Sequence, residues 1–213
     1  MDLLYIAIPE ENSRNYNVNS ITATIIHEYT HAINFTNKTW KKISEGKSDV
    51  FQEETFLDEG WSHLTESLCG YGISGGNCDF VNLYLENMNL YSFCKKNYLG
   101  NSDSAGQRGA MCLFLYYLFN KAGGVEYFSK TTDYLFLEFA QEILTKNLSE
   151  IFDFTLKDPS TNENIFTCKN PKFQDFSKTI TVLPYSLTVF DLCDSYVQKI
   201  NGKNLKGTVY FHR

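Results

Sequence analysis

The spacing of apolar and polar positions changes several times along the chain. Residues 2–8 contain a short apolar run, "LLYIAI", which breaks at Pro9 and reads as a strand. Residues 10–18 are polar and rich in Asn. Apolar positions then recur at helical spacing over residues 20–35, with Asn19 or Ser20 suited to cap the helix. Residues 36–50 are polar and read as a loop or a short helix. A second helix is predicted over 54–69, ending at Gly70. The segment to Asp79 contains glycines suited to tight turns. Further helices are predicted over 80–93, 106–122, 133–146 and 148–156.

The pattern changes after residue 157. "KDPSTNEN" is a linker or exposed turn, and "TITVLPYSLTVFDL" is rich in the β-branched and aromatic residues of strands. "QKINGKNLKGTVYF" places an Asn-Gly step between two apolar runs, a hairpin signal. Residues 1–157 are expected to form one domain. Residues 158–213 are expected to form a β-rich segment that stops inside a small module.

A chain of 213 residues with 43% hydrophobic content can bury a sizeable core. Its net charge of −6, with no basic run, argues against a nucleic-acid partner. No apolar run reaches the ~18 residues of a membrane span. The first residues lack the basic start and small-residue cleavage site of a signal peptide. A chain that opens on a core strand reads as the mature or truncated part of a longer protein.

The cysteines, at 69, 78, 94, 112, 168 and 193, include no Cys-x-x-Cys pair, which argues against a cysteine zinc site. Cys112, inside "MCLFLYYLF", reads as a buried thiol. Cys69 and Cys78 flank the glycine-rich loop and are suited to a bridge in an oxidising compartment, so the compartment stays open.

The chemistry concentrates at residues 27–31, "HEYTH". On a helix, with His27 at zero, His31 falls at ~40° and Glu28 at ~100°. Ile25, Ile26, Tyr29 and Ile33 fall between ~160° and ~260°, a face expected to meet the core. Two imidazoles four residues apart on one face can hold one Zn²⁺, with the intervening glutamate beside a bound water. The alternative, two ordinary surface histidines, fits poorly with the apolar flanks of "ITATIIHEYTHAINF".

No third histidine follows at the short spacing of the Met-turn enzymes. In "FLDEGWSHLTE", a helix with Glu59 at zero puts His63 at ~40° and Glu66 at ~−20°. Trp61, Leu64 and Leu68 lie opposite, at ~140–200°. Glu59 can reach a metal from the helix start, or it is a plain N-terminal carboxylate favoured by the helix dipole. Glu66 either accepts a hydrogen bond from a ligand histidine's other nitrogen or is simply exposed.

"HEYTHAINF" followed by "FLDEGWSHLTE" resembles the gluzincin zinc metallopeptidases, and within them the hyicolysin family. The resemblance covers roughly residues 20–125, including "GYG" after the second helix and an apolar helix ending in "AGG". It implies Glu59 as the third zinc ligand and a bacterial protein outside the cell or on its surface. Thermolysin-like and aminopeptidase relatives supply a downstream His or Tyr to stabilise the oxyanion. Here "GQRGAM" carries Gln107 and Arg108 instead. Arg108 is either an oxyanion donor or a surface arginine, and His63 is either an oxyanion donor or a neighbour of the ligands. Tyr116 and Tyr117 read as core.

The expected fold is a zincin-like α+β domain, mostly helical, with a short N-terminal strand and the start of a C-terminal β module. The expected function is zinc-dependent hydrolysis of a peptide or protein, as an endopeptidase rather than an exopeptidase. His27, His31 and Glu59 would hold Zn²⁺, and Glu28 would be the general base for a metal-activated water. The alternatives are an inactive peptidase-like binding module and a non-peptidase zinc hydrolase such as an amidase.

Overall fold

The computed structural model describes residues 4–6, 8–13, 16–48, 53–92, 104–122 and 186. Its helices are α1 (Val18–Phe35), α2 (Lys41–Ser44), α3 (Thr55–Leu68), α4 (Asn77–Glu86) and α5 (Ala105–Ala122). A π-helical turn, Thr36–Trp40, joins α1 to α2, and a 3-10 turn, Met88–Leu90, follows α4. The described part is therefore mostly helical. The helices expected over 133–146 and 148–156, the boundary at 157 and the C-terminal β segment lie outside the described residues.

No strand occurs among the described residues. The expected N-terminal strand is absent at residues 4–6 and 8, where Tyr5 and Ile8 are 88% and 85% exposed. A strand needs a neighbour to take its backbone hydrogen bonds, and a local apolar run does not supply one. None of the described helices is long and apolar enough to cross a membrane.

Helix α1 starts two residues earlier than its pattern suggests. Asn17, not Asn19 or Ser20, is the cap, and its side-chain oxygen accepts the Ser20 amide at 2.9 Å. Helix α3 ends as expected. Gly70 takes the left-handed conformation at φ 87°. The Gly70 amide then donates to the Ser67 carbonyl (3.0 Å) and the Tyr71 amide to the Glu66 carbonyl (2.8 Å). Helix α4 begins at Asn77 rather than residue 80, because Gly76, at φ 86°, turns the chain into it. It stops at Glu86 because Asn87 leaves helical geometry, at φ −143°.

The helices pack in the order α1 on α3, α3 on α5, and α5 on α4. Every residue from Ala110 to Leu118 is buried, Tyr116 and Tyr117 included, as suits a helix that is apolar on all sides. Trp61 and Leu64 on α3 and Val81, Tyr84 and Leu85 on α4 complete this core. The buried Gln107 side chain accepts the Ser92 amide at 3.2 Å and donates to the Ser92 carbonyl, tying α5 to the chain after the 3-10 turn.

The first helix departs from its expected orientation. Its buried residues are Ala23 and Thr30, while Tyr29 and Ile33 are 66% and 45% exposed. The face directed at α3 is the polar one. Ile25 and Ile26, expected on the same core face, are half-buried, while His27 and His31 hydrogen-bond to carboxylates of α3. Leu68, at the end of α3, is likewise exposed.

Where α4 and α5 cross, Gly109 lies directly against the backbone of Phe80 and Val81. Gly109→Ala should gain about 1 kcal/mol of helix propensity. The added methyl meets backbone atoms that cannot rotate away, and overpacking of this kind costs roughly 1–3 kcal/mol. The expected net result is a lower urea midpoint for Gly109→Ala than for the unchanged chain. A higher midpoint would contradict this helix crossing.

Candidate metal centre

The site lies between α1 and α3. His27 and His31 project from successive turns of α1, with ring centroids 4.9 Å apart. Facing them, α3 presents Asp58, Glu59, Ser62, His63 and Glu66. The two helices meet through these polar side chains.

Each histidine of α1 has its own carboxylate. His27 Nδ1 donates to Glu66 Oε1 at 2.6 Å, and His31 Nδ1 donates to Asp58 Oδ2 at 2.7 Å. The Asn34 side chain donates to the other oxygen of Asp58 at 2.7 Å, which holds that carboxylate in place. The Nε2 edges of both rings then face one group, Glu59. Its Oε2 is 3.3 Å from His27 Nε2, and its Oε1 is 3.7 Å from His31 Nε2.

His63 lies deeper. It is 2% exposed, with its ring centroid 4.6 Å from that of His27 and 5.7 Å from that of Phe80. Its Nδ1 is 3.1 Å from Glu66 Oε1, yet neither ring nitrogen makes a hydrogen bond of good geometry among the described residues. Glu66 Oε2 is also buried without a hydrogen-bond partner among them. Ligand atoms of His27, Glu59 and His63 lie within 4.8 Å of one another.

The glycine-rich loop closes the deep end. Asn77, fully buried, donates to the His63 carbonyl (2.7 Å) and to Ser67 Oγ (2.9 Å), which anchors the loop against α3. A side chain at Gly75 would collide with Glu66 Oε2, so the backbone approaches that carboxylate as only glycine permits. Cys69 and Cys78, at the loop's ends, are unbridged thiols. Cys69 is exposed, whereas Cys78 packs partly against the core, and the bridge that their spacing allows is not formed.

Of the residues singled out from sequence, His27, His31, Glu59, His63 and Glu66 come together, but the group close enough to share one ion is His27, Glu59 and His63, without the expected His31. Glu28 projects into solvent on α1, beside His27, with no hydrogen bond or ion pair among the described residues. Arg108 is half-buried in the first turn of α5, a helix that packs on α3 and α4. Asp58, Asn34 and Ser62 were not singled out. Asp58 precedes Glu59, and Asn34 follows His31 by one helical turn, but only the packing of α1 on α3 makes them partners.

Burial alone would lower the His27 pKa, but the Glu59 and Glu66 carboxylates outweigh it and raise it to about 9. His31 is raised as well: burial opposes this, and its hydrogen bond to Asp58 prevails. Burial works against ionisation of the carboxylates too. Even so, His27 and His31 hold Glu59 below its ordinary value, His27 and His63 do so for Glu66, and His31 and Asn34 for Asp58.

These shifts set a pH window for the ion-free protein. The His27 contribution to stability is complete below its ordinary value of 6.5 and is lost as pH rises through about 9. The carboxylate contribution is complete above the ordinary glutamate value of 4.5 and is lost as pH falls through the lowered folded values. The cluster should therefore stabilise the fold most between 4.5 and 6.5. NMR of the ion-free chain should show His27 titrating near 9, and Glu66→Gln should bring it down toward 6.5. A His27 that titrates at or below 6.5 in the unchanged chain would contradict this charge arrangement.

Comparison with models of known families, with curated proteins and with solved structures finds no match to this chain.

Proposed function

We propose that the chain is a zinc-dependent peptidase in which His27, His31 and Glu59 hold Zn²⁺ and Glu28 is the general base. One arrangement carries this reading. Carboxylates engage Nδ1 of both α1 histidines, so the Nε2 edges converge on Glu59 at 3.3 and 3.7 Å. Orientation of a ligand histidine through its other nitrogen is characteristic of zinc sites.

The donor set suits a divalent ion. Imidazole nitrogens and a carboxylate are zinc's ordinary partners. Two protons on His27 and His31 carry the same charge as one divalent ion, so exchanging them leaves the cluster's net charge unchanged. The buried Nε2 of His63, without a hydrogen-bond partner among the described residues, also fits a site whose polar groups are completed by a cation. On this reading, α1 and α3 are the metal-binding helices of a zincin-like domain.

Zinc bound there would supply Lewis-acid polarisation of a peptide carbonyl and a lowered pKa for water. The chain's own residues do the rest. Asp58 and Glu66 fix the two imidazoles and keep their Nδ1 protons in place. The Glu28 carboxylate, exposed next to His27, accepts a proton from the attacking water and passes it to the departing amine nitrogen.

Two variants separate the metal from the chemistry. Glu28→Gln should bind zinc as the unchanged chain does and lose hydrolysis of a quenched peptide by on the order of 10²–10⁴-fold. His27→Ala should lose zinc and activity together. Zinc content by elemental analysis and peptide cleavage are the two measurements. A Glu28→Gln protein that cleaves at the original rate would refute the role of Glu28. A zinc-loaded unchanged chain that cleaves no peptide would favour a binding module.

A further inference from the structure

We propose that His63 is itself a ligand of the bound ion, so that three imidazoles and Glu59, rather than two imidazoles and Glu59, hold it. This rests on the reading of the site as a zinc centre and adds to it.

The case begins with burial. His63 is 2% exposed, and its Nε2 has no hydrogen-bond partner among the described residues. A buried ring nitrogen left in that state loses its hydration with nothing in return. Native interiors rarely retain such a group unless something else completes it. Its surroundings offer little: the edge of Phe80, the ring of His27 and the Glu66 carboxylate, which His27 already engages at the shorter distance.

Geometry supplies the second argument. A ligand atom of His63 lies within 4.8 Å of ligand atoms of both His27 and Glu59, close enough for one ion to bridge all three. With Nδ1 3.1 Å from Glu66 Oε1, the proton of the neutral ring belongs on Nδ1 and the lone pair on Nε2. Glu66 Oε1 then sits beside the Nδ1 atoms of His27 and His63 alike, at 2.6 and 3.1 Å. One carboxylate orients two imidazoles, as Asp58 orients His31. Helical spacing agrees, because residues 59 and 63 are one turn apart on the face of α3 that meets α1.

Zinc accommodates this set. Zinc sometimes takes five ligands, so four protein donors would still leave a position for a water. It also makes α3 the source of two donors, which fixes the ion to that helix more firmly than Glu59 alone would.

Zinc K-edge X-ray absorption of the zinc-loaded full chain counts imidazole ligands directly. The expected count is three for the unchanged chain and two for His63→Ala. Because His63 is buried, His63→Gln serves as a second variant of similar volume, with folding of both verified by circular dichroism. Zinc affinity should fall by more than ~100-fold in each, beyond the ~10–100-fold typical of losing a group that only orients a ligand. Added free imidazole should restore the third nitrogen in His63→Ala. Two imidazoles in the unchanged chain would overturn the role of His63 while leaving the zinc centre intact. A chain that takes up no zinc would overturn both.

Discussion

The contact on which this structure turns is the meeting of α1 and α3 through charged side chains. His27 is bound to Glu66 and His31 to Asp58, and Glu59 lies between the two rings. Helix α1 contributes only Ala23 and Thr30 as buried residues. Apolar burial therefore does little to place it. The histidines hydrogen-bond across to α3, while Ile33 and Tyr29, which the apolar pattern would turn inward, are exposed.

Buried charge is a costly way to join two helices. Desolvation works against every ionised group at this interface, and pairing recovers that cost only when the geometry is good. A well-packed apolar contact would hold the helices at least as well.

The remainder of the described fold supports that interface. Helix α5 presents an apolar surface to α3, so that α3 is held on one side by the core and on the other by α1. The glycine-rich loop folds back onto the polar side of α3, and Asn77 fastens it to the carbonyl of His63. Gly75 allows the loop to lie against Glu66. Together these features hold the acidic face of α3 in position against α1.

Much of this was legible in the residues alone. Two histidines four apart, with Glu59, His63 and Glu66 at helical spacing, already lie on common faces, because helix geometry is local. The end of α3 at Gly70 and the apolar character of α5 follow from equally local rules. What the sequence could not determine was which face of α1 would turn inward, since that depends on the partners α3 presents. Asp58 and Asn34 became visible only when the helices were placed together. The depth of His63 likewise depends on Phe80 and the loop beyond α3. The apolar run before Pro9 predicted a strand, but a strand exists only with a neighbour to share its hydrogen bonds. Local spacing settled which side chains share a helix face; only tertiary packing decided which faces meet, because hydrogen bonds between helices depend on positions in space rather than distance along the chain.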